Sequence, residues 1–193
     1  MRLFSSLYDR VMRWSRHRYA HHYLAALSFA ESSFFPIPPD VVLAPMVLAA
    51  PDRAWRLAAL TTLFSVLGGA LGYLIGYFAF DLVEPLLREA GYYPKYLQVR
   101  EWFDRWGFWA VFLAGFSPIP YKVFTISAGV IAMSLFPFFL ASGIGRGARF
   151  FLVAALVRQG GPEMETNLRR YIDRIGWITV ILIVALMLFL NRT

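Results

Sequence analysis

Cysteine is absent from the 193-residue chain and charge is scarce, with Asp, Glu, Lys and Arg together making up 16% of the sequence. The first absence excludes disulfides, thiolate metal sites and cysteine nucleophiles. The second leaves 59% hydrophobic and 18% aromatic residues, more apolar surface than a soluble domain of this length can hide. No Ser-His-Asp order and no paired-carboxylate hydrolase pattern stands out either. What remains is the composition of an all-α integral membrane protein, not an enzyme, with no cofactor and no metal expected.

One sign of charge dominates: 19 basic residues face 12 acidic ones, and every base except Lys95 and Lys122 is an arginine. Five of those arginines lie in residues 1–18, MRLFSSLYDRVMRWSRHR. In so apolar a chain, this stretch points to an anionic cytoplasmic leaflet and not to nucleic acid, so residues 1–20 read as a basic amphipathic segment. The apolar core and small-residue cleavage site of a secretory signal are both missing from it.

The apolar runs differ in length. Residues 57–80, LAALTTLFSVLGGALGYLIGYFAF, carry no charge and reach about 36 Å as a helix, enough to cross a bilayer. Residues 137–157 have the right length but hold Arg146 and Arg149 near their middle, and residues 176–190 are charge-free but short. Residues 22–50 and 107–135 each contain two apolar runs of about a dozen residues, too short to cross alone. Pro36, Pro38 and Pro39 divide the first segment, and Pro118 and Pro120 divide the second. Proline removes backbone donors and pushes its predecessor out of the helical region, so each segment is expected to enter, break and turn back as a re-entrant hairpin.

The two breaks are near copies, FFPIPPDVV at 34–42 and FSPIPYKVF at 116–124. Each precedes a small-residue-rich start of a longer helix, FSVLGGALGY at 64–73 and LASGIGRGARF at 140–150. The expected architecture is an inverted repeat of re-entrant helical hairpin plus transmembrane helix. Half one covers 22–80, a connector 81–106 and half two 107–157, within a membrane domain of 21–160; residues 161–193 form a polar loop and a C-terminal membrane helix. Two unrelated membrane breaks with similar needs would give the same pattern. The positive-inside rule places the N-terminus and the Arg53/Arg56 turn in the cytoplasm.

Together, ESSFFPIPPD (Glu31 to Asp40), the glycine-rich span from Gly68, SPIPYKVFTISAGV (Ser117 to Val130) and GRGARF (Gly145 to Phe150) resemble the DedA family. This is the family of the VTT or SNARE-associated Golgi protein domain, and the likeness is closest to its YqaA-like branch. It covers about residues 20–160. The resemblance implies a multi-pass protein, of the inner (plasma) membrane in bacteria, with two facing re-entrant hairpins and a role in lipid movement. That role includes recycling of a polyprenyl-phosphate carrier, membrane homeostasis dependent on proton-motive force and, in eukaryotic members, lipid scrambling. Glu31 and Asp40 match the acids of the family's first hairpin. In the second hairpin, better-studied branches carry Arg on both sides of a proline, where this chain has Gly115 and Tyr121, with Lys122 one step beyond.

Five ionisable residues fall inside apolar segments: Glu31, Asp40, Lys122, Arg146 and Arg149. Each costs about 2.5–3.5 kcal/mol at a bilayer centre, so such residues mark a pathway or a partner. Asp40 and Lys122 hold equivalent places in the two breaks and are expected to meet at the midplane, neutralising each other when the site is empty. Glu31 lies within an apolar run with no helix end to cap, which suits a carboxylate that takes up and releases a proton. Arg146 and Arg149 share one helix face and offer forked donors that fit a lipid phosphate. Plainer readings stand beside these: Asp40 capping a helix start, Lys122 snorkelling to the headgroups, and the arginines pairing with Glu31 and Asp40 to hold the bundle together. Gly68, Gly72 and Gly76, four apart, form a stripe for helix packing. GIGRG lacks the strand and Lys-Ser/Thr ending of a phosphate loop, and His17, His21 and His22 have only Asp9 as a nearby acid, so neither is read as a ligand site.

The sequence therefore points to a multi-pass transporter or flippase for an anionic phospholipid or polyprenyl phosphate, with the proton as coupling ion and a homo-oligomer as one available assembly. The alternative is a non-transporting membrane scaffold or homeostasis factor whose buried charges are structural. A lipid-phosphate enzyme would need a nucleophile or metal cluster that the sequence does not offer.

Overall fold

Proline and glycine set most of the helix boundaries in the computed structural model, which describes residues 19–117 and 120–160. The basic N-terminal segment with His17, the first proline of the second break, Pro118, and the C-terminal apolar run lie outside the described residues. Helix α1 (Ala20–Ser33) stops three residues before Pro36, and α2 (Asp40–Ala49) starts directly after Pro39. A short 3-10 turn (Pro51–Arg53) leads into α3 (Ala54–Glu89). Gly91, with φ +72°, makes the left-handed turn into α4 (Tyr93–Phe116), which carries Pro94 in its first turn, where the missing N–H leaves no bond unmade. Pro120 then precedes α5 (Tyr121–Val130), and α6 runs over Leu135–Gly160. The connector residues are thus almost all helical. With 36 residues α3 is about 54 Å long, well beyond the hydrocarbon thickness of a bilayer.

Among the described residues, two helical stretches are long and apolar enough to cross a membrane, Pro51–Glu89 and Leu135–Gly160. They run antiparallel, as the two buried clusters show. In the first cluster Ala54, Leu57 and Ala58 near the start of α3 meet Phe150, Ala154 and Val157 near the end of α6. In the second, Tyr73 further along α3 meets Phe138 and Ala141 near the start of α6. Each broken segment belongs to one cluster. Leu24 of α1 and Met46 and Val47 of α2 are in the first, whereas Val111 of α4 and Ala128 of α5 are in the second. Each chain break lies between two helices of one cluster, the first between α1 and α2 and the second between α4 and α5.

Helix α3 is the spine against which both α1 and α5 pack. Ser28, Ser32 and Ser33 of α1 bond to Thr61, Ser65 and Gly68 in turn, so α1 runs parallel to the first half of α3. Tyr121 lies against Gly69 and Thr125 against Gly72, so α5 runs parallel to the second half. The end of α1 and the start of α5 therefore meet at adjacent positions, Gly68 and Gly69, near the middle of the charge-free run 57–80.

Glycines make this closeness possible. A Cβ at Gly68 would enter the Phe29 carbonyl, one at Gly76 the Ile126 carbonyl, and one at Gly129 the Tyr73 carbonyl. A similar close crossing joins α6 to α4, where a Cβ at Gly145 would meet the Phe112 carbonyl. Small residues that let backbones touch are how helices associate when lipid supplies no hydrophobic difference between bound and free. Gly143, by contrast, faces open space. Gly129→Ala is expected to destabilise the protein by about 1–3 kcal/mol through backbone overpacking, while Gly143→Ala is neutral or stabilising by up to about 1 kcal/mol. Thermal unfolding midpoints in detergent check the pair.

Candidate functional site

Between the clusters, polar side chains from α1, α2, α3 and α6 converge. Arg146 of α6 is buried, with 2% of its surface exposed. A guanidinium out of water must spread its charge over several acceptors. Its Nε donates to Ser65 Oγ at 2.5 Å, and Nη2 donates to Glu31 Oε2 at 2.5 Å and to Ser32 Oγ at 3.3 Å. Ser32 Oγ is in turn 2.7 Å from Ser65 Oγ and donates to Glu31 Oε2 at 3.1 Å. The planar cation also lies 4.9 Å from the Tyr121 ring centre and 4.6 Å from that of Phe150, so π faces cover what hydrogen bonds leave bare.

One turn on, Arg149 bridges both broken segments. Nη2 donates to Asp40 Oδ2 at 2.6 Å, at the first turn of α2, while Nη1 donates to the Ser117 carbonyl at 2.7 Å, at the end of α4. This pair is less enclosed than the first, with side-chain exposures of 19% for Arg149 and 22% for Asp40, against 2% for Arg146 and 15% for Glu31. Four atoms of the layer, Asp40 Oδ1, Ser117 Oγ, Tyr121 Oη and Ser142 Oγ, are buried without a hydrogen-bond partner among the described residues. Buried polar atoms cost free energy when left unpaired, so these four groups detract from the stability of the layer.

The structure brings Glu31, Asp40, Arg146 and Arg149 together but does not make the expected Asp40–Lys122 pair. Asp40 is taken by Arg149, because α6 passes beside the start of α2 and its forked donor reaches the carboxylate first. Lys122 instead points at the tip of the first break, with Nζ 3.5 Å from the carbonyls of Phe34 and Phe35. It makes no ion pair among the described residues. Of the break prolines, Pro39 is the N-cap residue of α2 and Pro120 that of α5, while Pro36 and Pro38 lie in the irregular stretch between α1 and α2. Gly72 sits against the Thr125 side chain and not against backbone.

Sequence reasoning missed the hydroxyls. Ser28 and Ser32 are four apart on α1, and Thr61 and Ser65 are four apart on α3; these matched stripes in apolar helices were the available signal.

The VTT domain profile matches residues 37–159, well over half of the chain, starting inside the first break and ending at the close of α6. The chain belongs to the DedA family of VTT-domain proteins. Asp40, Lys122, Arg146 and Arg149 fall within the matched stretch, and Glu31 lies just before it. Like other DedA proteins it is a membrane protein. An uncharacterised Haemophilus influenzae protein is 47% identical over 95% of this chain and 96% of its own length. Undecaprenyl phosphate transporter A of Staphylococcus aureus is 28% identical over 65% of this chain and 69% of that protein. Inner membrane protein YqaA of Escherichia coli is 27% identical over 71% of this chain and 90% of that protein. No solved structure matches significantly.

Removing one partner of a buried pair strands the other charge, so Arg146→Leu alone is expected to cost about 3–5 kcal/mol, with most of that loss recovered when Glu31→Leu is added. The double-mutant coupling should be smaller for Arg149 with Asp40, and smallest for the exposed helical pair Arg88 with Glu84, a surface reference. Denaturation of the purified variants in detergent gives all three couplings.

Proposed function

We propose that this DedA protein carries an anionic lipid, a phospholipid or polyprenyl phosphate, across the bacterial inner membrane, and that the paired charges between its two broken segments are the empty state of the site. The observation that carries this reading is the pairing itself. Two guanidiniums from adjacent turns of α6 are each neutralised by a carboxylate from the first broken segment, beside the charge-free 57–80 run of α3. Arg149 suits a phosphate best, since both of its terminal nitrogens are already used as donors to oxygen at the break, and it is the more accessible of the two arginines. Protonation of Asp40 or Glu31 would release an arginine to the headgroup, which makes the proton the natural coupling ion. Lys122, bonded only to carbonyls, leaves one positive charge in excess over the two acids and biases the cavity towards an anion.

In this reading the broken segments are re-entrant hairpins of an inverted repeat. Their tips meet near the middle of the 57–80 run, the two long helices are antiparallel, and a glycine crosses a phenylalanine carbonyl in both halves. The undecaprenyl phosphate transporter among the relatives supports a lipid-phosphate cargo.

Transport of labelled phospholipid and of polyprenyl phosphate in proteoliposomes tests the proposal. Arg149→Ala is expected to slow transport about tenfold or more, the value of one lost charge-assisted contact, and Asp40→Asn to abolish its dependence on a pH gradient. Wild-type rates in both variants would refute the assignment. The buried pairs also suit a scaffold, and the exchange of Asp40→Arg with Arg149→Asp separates the readings: a scaffold recovers fold and phenotype, while a carrier recovers the fold alone.

A further inference from the structure

Helix α4 carries a surface that the charged layer does not use. Its inner face is formed by Phe103, Gly107, Val111 and Ala114, buried in the second cluster and against α6. On the outer face Trp102, Trp106, Trp109 and Leu113 recur at intervals of four, three and four, and the three indoles are 51%, 54% and 53% exposed. With Ala110 they line an open, almost wholly apolar groove of about 460 Å³.

The chemistry along this stripe changes in one direction. Lys95 and Gln98 lie on the same helix face at its start, Arg105 flanks the stripe between Trp102 and Trp106, Arg100, Glu101 and Asp104 lie on the other faces, and Leu113 follows the indoles, with no charge on α4 beyond Arg105. Cation, indole and then aliphatic side chain is the order met on passing from headgroup phosphate through the glycerol region into acyl chain, where tryptophan concentrates. A second copy of the chain fits less well, because membrane helix contacts favour small residues, and this chain places its small residues on the inner faces.

We infer that the Trp102–Leu113 groove binds a bilayer phospholipid, with its phosphate at the level of Arg105, between Trp102 and Trp106, and an acyl chain along Trp109 and Leu113, and that this contact sets the depth of the second broken segment. The geometry agrees with an independent ruler. From Trp106 to Ser117 the helix rises about 16 Å, close to half of a ~30 Å hydrocarbon core, which puts the break at the midplane. The middle of the 57–80 run of α3 puts Gly68 and Gly69, where the segment tips meet, at the same level. The inference rests on membrane insertion and not on the transport proposal, so either can fail alone.

Because the chain has no cysteine, single cysteines report cleanly. Nitroxides at Gln98, Trp102, Trp106, Trp109 and Leu113 of the full chain would be read in phosphatidylcholine/phosphatidylglycerol vesicles by collision with oxygen and with a water-soluble nickel chelate. Depth is expected to increase steadily by about 1.5 Å per residue, crossing the headgroup boundary near Trp106. Exclusion of both reagents from the three tryptophan positions, with cross-linking between copies at Trp106→Cys, would assign the groove to a dimer and overturn the inference. Five positions all in water, or all deep in the core, would overturn it too. In Arg105→Gln protein the preference for spin-labelled phosphatidylglycerol over phosphatidylcholine should fall about twofold or more, and an unchanged preference would remove the headgroup half of the site.

Discussion

A guanidinium held out of water at the centre of an apolar bundle dictates much of what surrounds it. Arg146 requires an acid, and Glu31 provides it from α1; it requires further acceptors, and Ser32 and Ser65 provide them from two different helices. Because those groups come from α1 and α3, satisfying one cation fixes the position of the first broken segment against the spine and of α6 against both. Solvating this charge with lipid is far costlier than solvating it with protein, so the polar layer resists separation of the helices even though the contacts flanking it are apolar.

The fold was legible in the sequence wherever backbone chemistry speaks locally. Pro36, Pro38 and Pro39 end one helix and start another, as the missing donors require, and the charge-free run 57–80 lies within one long helix. The connector was less legible. Pro85, Gly91 and Pro94 look like interruptions, yet Pro85 is carried inside α3 and Pro94 occupies a first turn where it does no harm, so only Gly91 marks a turn. In the site, the charged residues could be named but their partners could not. The likeness of the two breaks suggested that Asp40 and Lys122 meet, whereas contact is decided in three dimensions by α6, which belongs to neither break and takes the carboxylate with Arg149. The hydroxyls were signalled only by matched four-residue spacing, Ser28/Ser32 on α1 and Thr61/Ser65 on α3, a pattern too common in apolar helices to single out Ser32 and Ser65 as partners of Arg146.

Polar and small residues divide the labour in this bundle. Where backbones must touch, glycine removes the side chain, as at Gly68, Gly76, Gly129 and Gly145. Where charges must be held apart from lipid, hydroxyls fill the same close quarters, and Ser28, Ser33 and Thr61 each return a hydrogen bond to a main-chain carbonyl. Such bonds satisfy the hydroxyl without adding bulk, which lets a tight crossing and a polar centre coexist on the same few turns of α3.

The neighbouring glycines at 68 and 69 have a mechanical side. One receives the end of α1 through Ser33 and the other the start of α5 through Tyr121, so the apices of both bent segments rest on a single peptide unit of one continuous rod. A shift of either apex along that rod presses on the seat of the other, and Lys122, reaching across to the carbonyls of Phe34 and Phe35, ties the two more directly. The two bent segments are therefore coupled at their centre, and neither can be displaced along α3 without disturbing the seat of the other.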